Sequence, residues 1–263
     1  MKVLITSGGT KIKIDRVRSI TNMSKGTFGS RIAEAFYDYL FERDITFLGA
    51  YDSKMPRIET KGFRNDNKII EKKNGEVQKL FYCGEDNQMK VIGYDTFEDY
   101  EKKLFDTITK EKPDVIVLAA AVSDYGVDNY VDGKIRTSAD DMVIRLKPLP
   151  KLISKVRELA PNAFIVGFKL LVDSSEEELK QACIDSMNKN KLNMIVGNDL
   201  RDIQNDNHTL MIGTWENENV VFEKFSKNEN KLPLSNILVT KIFKGMNFSL
   251  ADMVKNHLPN NCL

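Results

Sequence analysis

The hydrophobic positions of this chain fall into short apolar runs, separated by stretches in which apolar residues recur every three or four positions. Five runs have the length of buried strands, namely Val3–Thr6, Ile45–Ala50, Val115–Ala121, Phe164–Phe168 and Met194–Val196. The stretches between them predict amphipathic helices at Ser30–Phe41, Glu98–Lys110, Pro150–Leu159 and Ser174–Lys189. Such alternation is typical of an α/β fold, so we predict a doubly wound, mostly parallel, Rossmann-like sheet.

One segment in the first half of the chain breaks this alternation. Residues 53–95 are polar and rich in lysine, and Val77–Tyr82 and Met89–Ile92 are the two possible short strands within them. The charge pattern is that of a solvated surface. We therefore interpret residues 53–95 as a variable insertion that forms a solvated loop or a small hairpin on the rim of the sheet.

The C-terminal part predicts antiparallel edge strands. His208–Gly213 and Val220–Glu223 lie on either side of Asn217–Asn219, a pattern that indicates a hairpin. A last helix is predicted over about Pro233–Gly245. Since no internal repeat is visible, we expect a single domain over residues 1–263.

Composition and charge restrict the function classes. Apolar residues make up 41% of the 263 residues, which is enough for a hydrophobic core. Lys+Arg 39 against Asp+Glu 38 gives a formal net charge of +1, which argues against a general nucleic-acid or membrane binder. No apolar run approaches the ~18 residues of a membrane span.

The cysteines and histidines leave little scope for a metal site. Cys83, Cys183 and Cys262 are odd in number and form no C-x-x-C pair, so a disulfide framework or a zinc site is not indicated. We expect a reducing, cytoplasmic location. His208 and His257 are the two histidines, and no nucleophile motif accompanies either of them.

The turn after the first predicted strand carries candidate chemistry. Ser7-Gly8-Gly9-Thr10 would let main-chain N–H groups approach an anion, and a helix that begins near Gly26 would add a partial positive charge. A loop of about 20 residues between a strand and its helix is long for a simple chain reversal. Arg18 and Asn22 lie in this loop and could bind a phosphate and a carbonyl oxygen. A turn that only reverses the chain is the alternative.

A second candidate segment follows the middle strand. Ala119, Ala120 and Ala121 are small enough for a ligand to approach the backbone, and Asp124 follows three residues after the last alanine. Open α/β sheets bind ligands at the carboxyl ends of their strands. Asp124 could instead only cap the following turn.

The stretch from Thr6 to Gly29 resembles the phosphopantothenate–cysteine ligase family. The family pattern is a strand ending in T-S/A-G-G-T, then I-D-x-V-R-x-I-T-N-x-S-x-G-x-x-G, and both parts are present here. Arg16 and Thr27 depart from it, since many members have Pro and Lys at these positions. Four further segments resemble the family in the same order, namely Leu118–Tyr125, Gly133–Arg136, Ile165–Asp173 and Lys189–Leu200.

This resemblance implies roles for individual residues. Asn22 would hold phosphopantothenate and stabilise an acyl-nucleotide, and Lys134 would neutralise triphosphate charge from a flap at residues 123–141. The other substrate contacts would come from Arg18, Ser24, Gly26, Ala120 and Ala121, with Arg18 supporting the loop or the substrate phosphate. The nucleotide would be held by Ser7, Gly8, Gly9, Asp124, Phe168, Lys189 and Asn198, with Lys191 as the alternative to Lys189. No metal ligands are assigned.

The resemblance also implies a reaction and its partners. We expect 4′-phosphopantothenate to be joined to L-cysteine through an acyl-nucleotide, in coenzyme A synthesis. CTP, preferred over ATP, and Mg²⁺ would be required. We further expect a homodimer, because a second subunit completes the substrate site in the family, and a separate decarboxylase that acts next.

Two other function classes remain open from the residues alone. A nicotinamide-dependent short-chain reductase is suggested by a Y-x-x-x-K match from Tyr130 to Lys134, although the glycine spacing after Ser7 does not fit that class. A non-catalytic nucleotide-binding protein on the same fold is the third hypothesis. The presence of Asn22 and Lys134 argues against it.

Overall fold

The computed structural model describes residues 1–40, 44–57, 68–73, 76–82, 88–137, 141–204 and 207–248. The helices are α1 (Thr27–Tyr39), α2 (Phe97–Glu111), α3 (Ile153–Leu159), α4 (Glu176–Asn190), α5 (Leu200–Gln204) and α6 (Leu234–Gly245). The strands are β1 (Lys2–Ser7), β2 (Lys11–Lys13), β3 (Ser19–Thr21), β4 (Asp44–Ala50), β5 (Lys68–Lys73), β6 (Glu76–Tyr82), β7 (Gln88–Tyr94), β8 (Val115–Leu118), β9 (Tyr125–Val127), β10 (Leu146–Pro148), β11 (Phe164–Leu171), β12 (Met194–Asp199), β13 (Thr209–Glu216) and β14 (Asn219–Ser226).

In the described part of the chain, ten strands form one sheet in the order β14-β13-β12-β11-β8-β1-β4-β7-β6-β5. The six strands from β12 to β7 in this order are parallel, and β13 and β14 add antiparallel pairs at one edge. The predicted doubly wound sheet with antiparallel C-terminal edge strands is confirmed. All parallel strands therefore end at the same edge, where such sheets bind ligands.

Helices cover both faces of the sheet, which explains the continuous apolar runs of the central strands. One core lies under α1 and α6, where the rings of Phe36 and Phe243 meet edge to face with centroids 5.6 Å apart. The other core lies under α2, α3 and α4 and includes Tyr100, Val156 and Met187. Helices α1, α2, α3 and α4 each return the chain to the amino end of a parallel strand, namely β4, β8, β11 and β12.

The interpretation of residues 53–95 was wrong for their last part. β5 and β6 do form an antiparallel hairpin, but β7 is a parallel strand of the central sheet and pairs with β4 from Asp44 to Ala50. Met89, Val91 and Tyr94 are buried. Met89–Ile92 is recognisable as a possible strand, but the lysine-rich residues before it concealed its place in the central sheet, because a short apolar run carries little signal beside them.

Two small ribbons lie at the carboxyl edge and had no sequence prediction. β2 pairs with β3, and β9 pairs with β10, both antiparallel. Each strand has only three residues, which is too short for a recognisable alternation. The ribbons give a defined shape to the two long loops that follow β1 and β8.

Candidate functional site

The turn after β1 needs its two glycines. Gly8 has a φ of +89°, which L side chains rarely adopt, and a Cβ there would lie 2.6 Å from the Cβ of Ala50. A Cβ on Gly9 would lie 2.8 Å from the main-chain oxygen of Asn22. The glycines therefore let the chain turn sharply and let the Asn22 loop lie directly on the turn.

The turn is joined to the chain that follows β8. The N–H of Ala121 donates to the oxygen of Gly8 over 2.7 Å, and the N–H of Thr10 donates to the oxygen of Ala121 over 3.1 Å. The side-chain amide of Asn22 also donates to the Ala121 oxygen, over 2.9 Å. Gly8, Gly9, Asn22 and Ala121, which are far apart in sequence, therefore meet in one place.

Helix α1 begins beside this turn. Its N-cap residue Gly26 is buried, has a φ of +67°, and offers no side-chain cap to the first N–H groups of the helix. The Ser7 hydroxyl donates to the Gly26 oxygen over 3.0 Å, which holds the helix start against the turn. Ser24 is exposed just before it. Uncapped N–H groups and the helix dipole favour an anion at this place.

Tyr94, the last residue of β7, stabilises the glycine turn from within the core. Its hydroxyl donates to the main-chain oxygen of Ser7 over 2.8 Å in the core. Burial raises the pKa of Tyr94 far above its ordinary value, so the hydroxyl keeps its proton and remains a donor. The shape of the turn thus depends on a residue that sequence analysis had placed in the insertion.

Lys134 lies on a loop that runs alongside the Asn22 loop. The N–H of Val131 donates to the oxygen of Ile14 over 3.1 Å, and the N–H of Arg16 donates to the oxygen of Gly133 over 2.9 Å. Lys134 is exposed, and no carboxylate within the described ranges pairs with it. Its charge is therefore available to a ligand at this edge.

Arg18 acts within the protein. Its Nε lies 3.2 Å from Oδ2 of Asp15, and its Nη2 donates to the main-chain oxygen of Ile135. Of the two roles inferred for Arg18, support of the loop is therefore visible in the structure. Contact with a substrate phosphate stays a prediction.

Asp124 is exposed at the carboxyl edge and forms an ion pair with Lys151. Its main-chain oxygen accepts a hydrogen bond from the N–H of Leu149, 2.8 Å away. This bond joins the two ends of the segment that runs from Asp124 to Leu149. Lys151 had no sequence prediction. One feature of the sequence could have indicated it. A lysine just before a helix is unfavourable for the helix dipole, so its presence before α3 suggests a role other than helix stability.

Phe168, in the second half of β11, belongs to an aromatic cluster with Phe28 and His208. The ring of Phe28 meets Phe168 edge to face at 6.1 Å and His208 at 5.1 Å. Phe28 is in the first turn of α1, so the cluster lies next to the anion-binding end of that helix. Phe168 therefore lies beside the start of α1, and its contact with a nucleotide base stays a prediction.

Asn198, at the end of β12, is buried and its amide group is already engaged. Nδ2 donates to the oxygen of Thr209 over 3.0 Å and lies 3.0 Å from Nε2 of His208. Burial, then the charges of Arg31 and Lys227, lower the pKa of His208, with Asp202 opposing. The imidazole is therefore neutral at pH 7 and its Nε2 can accept this hydrogen bond.

His208 thus joins the candidate site through Asn198 and Phe28, a position that sequence reasoning missed. Its apolar neighbours in sequence indicated only an edge strand. The engagement of the Asn198 amide leaves its side-chain oxygen for any ligand contact.

Lys189 is not brought to the site, and its assignment to the triphosphate is not supported. It lies in the last turn of α4 and is exposed, and β12 begins only at Met194. Nearby, the N–H of Asn193 donates to the oxygen of Ile165 over 3.0 Å, near the start of β11. A helix that follows one parallel strand ends at the amino edge of the next, so Lys189 and Lys191 lie at the edge opposite to the glycine turn.

The described residues offer neither a preformed metal site nor a membrane-spanning helix. Among the residues that the structure describes, no group of three or more His, Cys, Asp or Glu side chains could hold a metal ion. Mg²⁺ usually binds through one or two carboxylates together with substrate phosphates, so a metal held by the chain alone does not fit. No helix in the described ranges is long and apolar enough to cross a membrane.

The fold and this edge define a class: a doubly wound α/β protein with a glycine turn beside an uncapped helix start, a second loop carrying an exposed lysine, and an aromatic cluster beside them. Residues 1–42 and 83–244 match the family described as DFP, DNA/pantothenate metabolism flavoprotein C-terminal domain. The chain belongs to this family. The match omits residues 43–82 and includes β7, in agreement with the place of that strand in the sheet.

The reductase hypothesis loses its basis, since Tyr130 and Lys134 lie on a loop and not on one helical turn.

Named relatives give the same result. The chain is 34% identical over 213 residues to the coenzyme A biosynthesis bifunctional protein CoaBC of Thermococcus kodakarensis, covering 81% of this chain and 45% of that protein. It is 29% identical over 198 residues to the phosphopantothenate–cysteine ligase of Homo sapiens, covering 65% of this chain and 64% of that protein. The chain therefore spans about half the length of the bifunctional relatives.

Solved structures share the fold. The DNA/pantothenate metabolism flavoprotein from Streptococcus pneumoniae superposes with a TM-score of 0.71 at 25% identity, covering 93% of this chain and 99% of that one. A Cab2 mutant in complex with phosphopantothenate-cysteine superposes with a TM-score of 0.70 at 22% identity, covering 96% of this chain and 88% of that one.

Proposed function

We propose that this protein is a phosphopantothenate–cysteine ligase of coenzyme A synthesis. The observation that carries the proposal is the meeting of Asn22, the glycine turn and Ala121 at the carboxyl edge, with Lys134 on the adjoining loop. Relatives named for this activity support it. Phosphopantothenate, L-cysteine and a nucleoside triphosphate would be its substrates.

The first step would join the carboxylate of 4′-phosphopantothenate to the α-phosphorus of the triphosphate. The P–O bond to the β-phosphate breaks, and pyrophosphate leaves with its electron pair. Anions must approach one another here, so cations and N–H groups are needed. The start of α1 supplies N–H groups, and Lys134 supplies a charge. Any Mg²⁺ would enter bound to the phosphates of the nucleotide.

The second step would form the amide. The amine of cysteine attacks the acyl carbon, the C–O bond to the nucleotide breaks, and the nucleoside monophosphate leaves while the nitrogen loses a proton. Positioning and a donor on the acyl oxygen are the main requirements. Asn22 is suited to this, since its amide is fixed on Ala121 and its second N–H remains for the acyl oxygen.

We propose CTP rather than ATP as the preferred triphosphate. The support is the resemblance of the VRSITN, GFKLLVD and GNDL segments to free-standing bacterial ligases. A decarboxylase would then take the product.

We also propose a homodimer. The loop that carries Asn22 exposes three apolar side chains, with Val17 67%, Ile20 39% and Met23 94% accessible. Apolar side chains exposed together mark surfaces that bind a partner. A second copy that covers this loop would complete the phosphopantothenate site.

The test of the function is pyrophosphate release with phosphopantothenate and Mg²⁺, comparing CTP with ATP, each with and without cysteine. Turnover that requires cysteine and is faster with CTP is the expected result. Turnover with ATP alone would keep the ligase and overturn the nucleotide preference. Absence of release with any triphosphate would overturn the ligase.

A further inference from the structure

Asp15 is a buried carboxylate at the junction of two loops that would act on different substrates. Only 1% of the residue is accessible to solvent. One loop carries Asn22 and the other carries Lys134, and Asp15 lies in the first. A buried charge in a surface loop is costly unless its hydrogen-bonding capacity is satisfied, so its partners indicate its role.

Both carboxylate oxygens of Asp15 are engaged, and they face different loops. Oδ1 accepts hydrogen bonds from the N–H groups of Val17, 2.8 Å away, and Arg18, 2.7 Å away. Oδ2 accepts from the N–H of Ile135 over 3.1 Å and lies 3.2 Å from Nε of Arg18. One oxygen thus shapes its own loop, and the other reaches across to the residue after Lys134.

Ile135 is held on both sides. Its N–H donates to Asp15, and its carbonyl oxygen accepts from the Arg18 guanidinium, which is itself paired with Asp15. The peptide bond between Lys134 and Ile135 is therefore fixed directly by Asp15. The side chain of Lys134 starts from this fixed bond.

Asp15 is ionised at neutral pH. Burial is the largest single effect and would raise its pKa, but the N–H groups of Val17, Ile135 and Arg18 and the Arg18 charge together outweigh it, so the pKa is lowered. Hydrogen bonds to a charged acceptor are about twice as strong as neutral ones. An amide in place of the carboxylate would put an NH₂ donor against N–H groups.

We propose that Asp15 is a positioning residue that latches the Lys134 loop to the Asn22 loop. Given the proposed function, the latch holds the triphosphate-binding charge and the acyl-binding amide in one frame. A reaction that joins two substrates depends on such alignment, since small misplacements of the reacting groups reduce its rate strongly.

The latch can be tested without any substrate. Trypsin cleaves after Lys134 only when that loop opens, so the cleavage rate reports the open population. Asp15→Asn should accelerate cleavage between Lys134 and Ile135 about ten-fold, the scale expected for loss of a hydrogen bond to a charged group. Fragments are identified by mass spectrometry, and cleavage after Lys180, within α4, reports global opening.

Asp132→Asn is the matched control. It removes an exposed ion pair with Arg16, 2.7 Å long, from the same loop, and exposed pairs contribute little. Cleavage after Lys134 should therefore stay at the wild-type rate. A general structural defect in Asp15→Asn would accelerate cleavage after Lys134 and Lys180 alike and would overturn the latch.

If Asp15→Asn does not fold, as judged by circular dichroism, Arg18→Lys tests the same latch. It keeps the charge and Asp15 but removes the donor to Ile135, and about three-fold faster cleavage after Lys134 is expected. Unchanged cleavage in the folded variants would overturn the proposal. In pyrophosphate release, Asp15→Asn should lower kcat about ten-fold and Asp132→Asn should not. An inactive wild-type protein would refute the function alone, because the proteolysis result stands separately.

Discussion

The Asn22 amide and the Ala121 main-chain oxygen form a hydrogen bond of 2.9 Å between residues 99 positions apart. The same oxygen accepts the N–H of Thr10 over 3.1 Å. Asn22 is therefore held by the end of the strand next to the glycine turn, although its loop lies at the surface. This bond explains how a long loop can present a side chain in one defined place.

Asn22→Asp is expected to stop amide formation more than nucleotide transfer. A carboxylate cannot donate to the Ala121 oxygen or to an acyl oxygen, so the second step should fall by about 10²–10³, the usual loss for one oxyanion donor. Rapid-quench assays should still detect the acyl-nucleotide and a single release of pyrophosphate. Thr21→Val, which removes a neighbouring hydroxyl 3.3 Å from the Thr10 oxygen, is the control. Full turnover by Asn22→Asp would contradict the assignment.

Lys134→Gln and Lys189→Gln should separate the two lysines suggested by the sequence. Both side chains are exposed, so neither change should alter the free energy of unfolding by more than about 0.5 kcal/mol. Lys134→Gln should lower pyrophosphate release by about 10²-fold through loss of phosphate stabilisation. Lys189→Gln should have wild-type kinetics, because Lys189 lies at the opposite edge. An equal loss of pyrophosphate release in both variants would contradict the position of Lys189 at the opposite edge of the sheet.

Tyr94→Phe should weaken both the fold and the site. The main-chain oxygen of Ser7 would lose its buried donor, which costs about 1–3 kcal/mol in the free energy of unfolding. The KM for the triphosphate should rise, because the glycine turn would be less fixed. Tyr39→Phe, which changes another hydroxyl under α6, is a control for stability alone. Denaturant unfolding and steady-state kinetics measure both effects, and an unchanged KM would argue against support of the turn by Tyr94.

His208 should make the stability of the protein depend on pH. Its folded-state pKa is lowered by burial and by Arg31 and Lys227, so the unfolded chain binds the proton more readily. The contribution of neutral His208 is therefore complete above its ordinary pKa of about 6.5 and is lost as pH falls through the lower, folded-state value. His208→Asn should lose less stability than wild type between pH 7.5 and pH 5 in denaturant unfolding. An identical loss in both proteins would remove His208 from this role.

Met23→Asp should separate the proposed dimer. Met23 is 94% exposed in one protomer, and a charge at an apolar interface opposes association. Sedimentation under assay conditions should show a dimer for wild type and a monomer of low activity for the variant. Leu232→Asp, at a residue that is 56% exposed in another part of the surface, should remain dimeric. A fully active wild-type monomer would refute the completion of the site by a second subunit.

Much of the fold could be predicted because its central strands and helices have local patterns of apolar residues. The runs at β1, β4, β8, β11 and β12 are mostly apolar, as is typical of strands covered on both faces. The place of β7 in the central sheet was concealed, since the residues before it in sequence are polar and charged and its apolar partners come from distant parts of the chain. Its role, including the support that Tyr94 gives to Ser7, follows from pairing with β4.

The sequence by itself determined the class of fold, the glycine turn and the resemblance that singles out Asn22 and Lys134. These depend on spacing along the chain, and Gly8 and Gly9 are required by backbone sterics at a single turn. The tertiary structure decided which charged groups meet. It carried Lys189 to the far edge, because α4 returns the chain to the amino end of β12. It also buried Asp15 against Ile135 and paired His208 with Asn198, contacts that exist only where loops from separate strands converge.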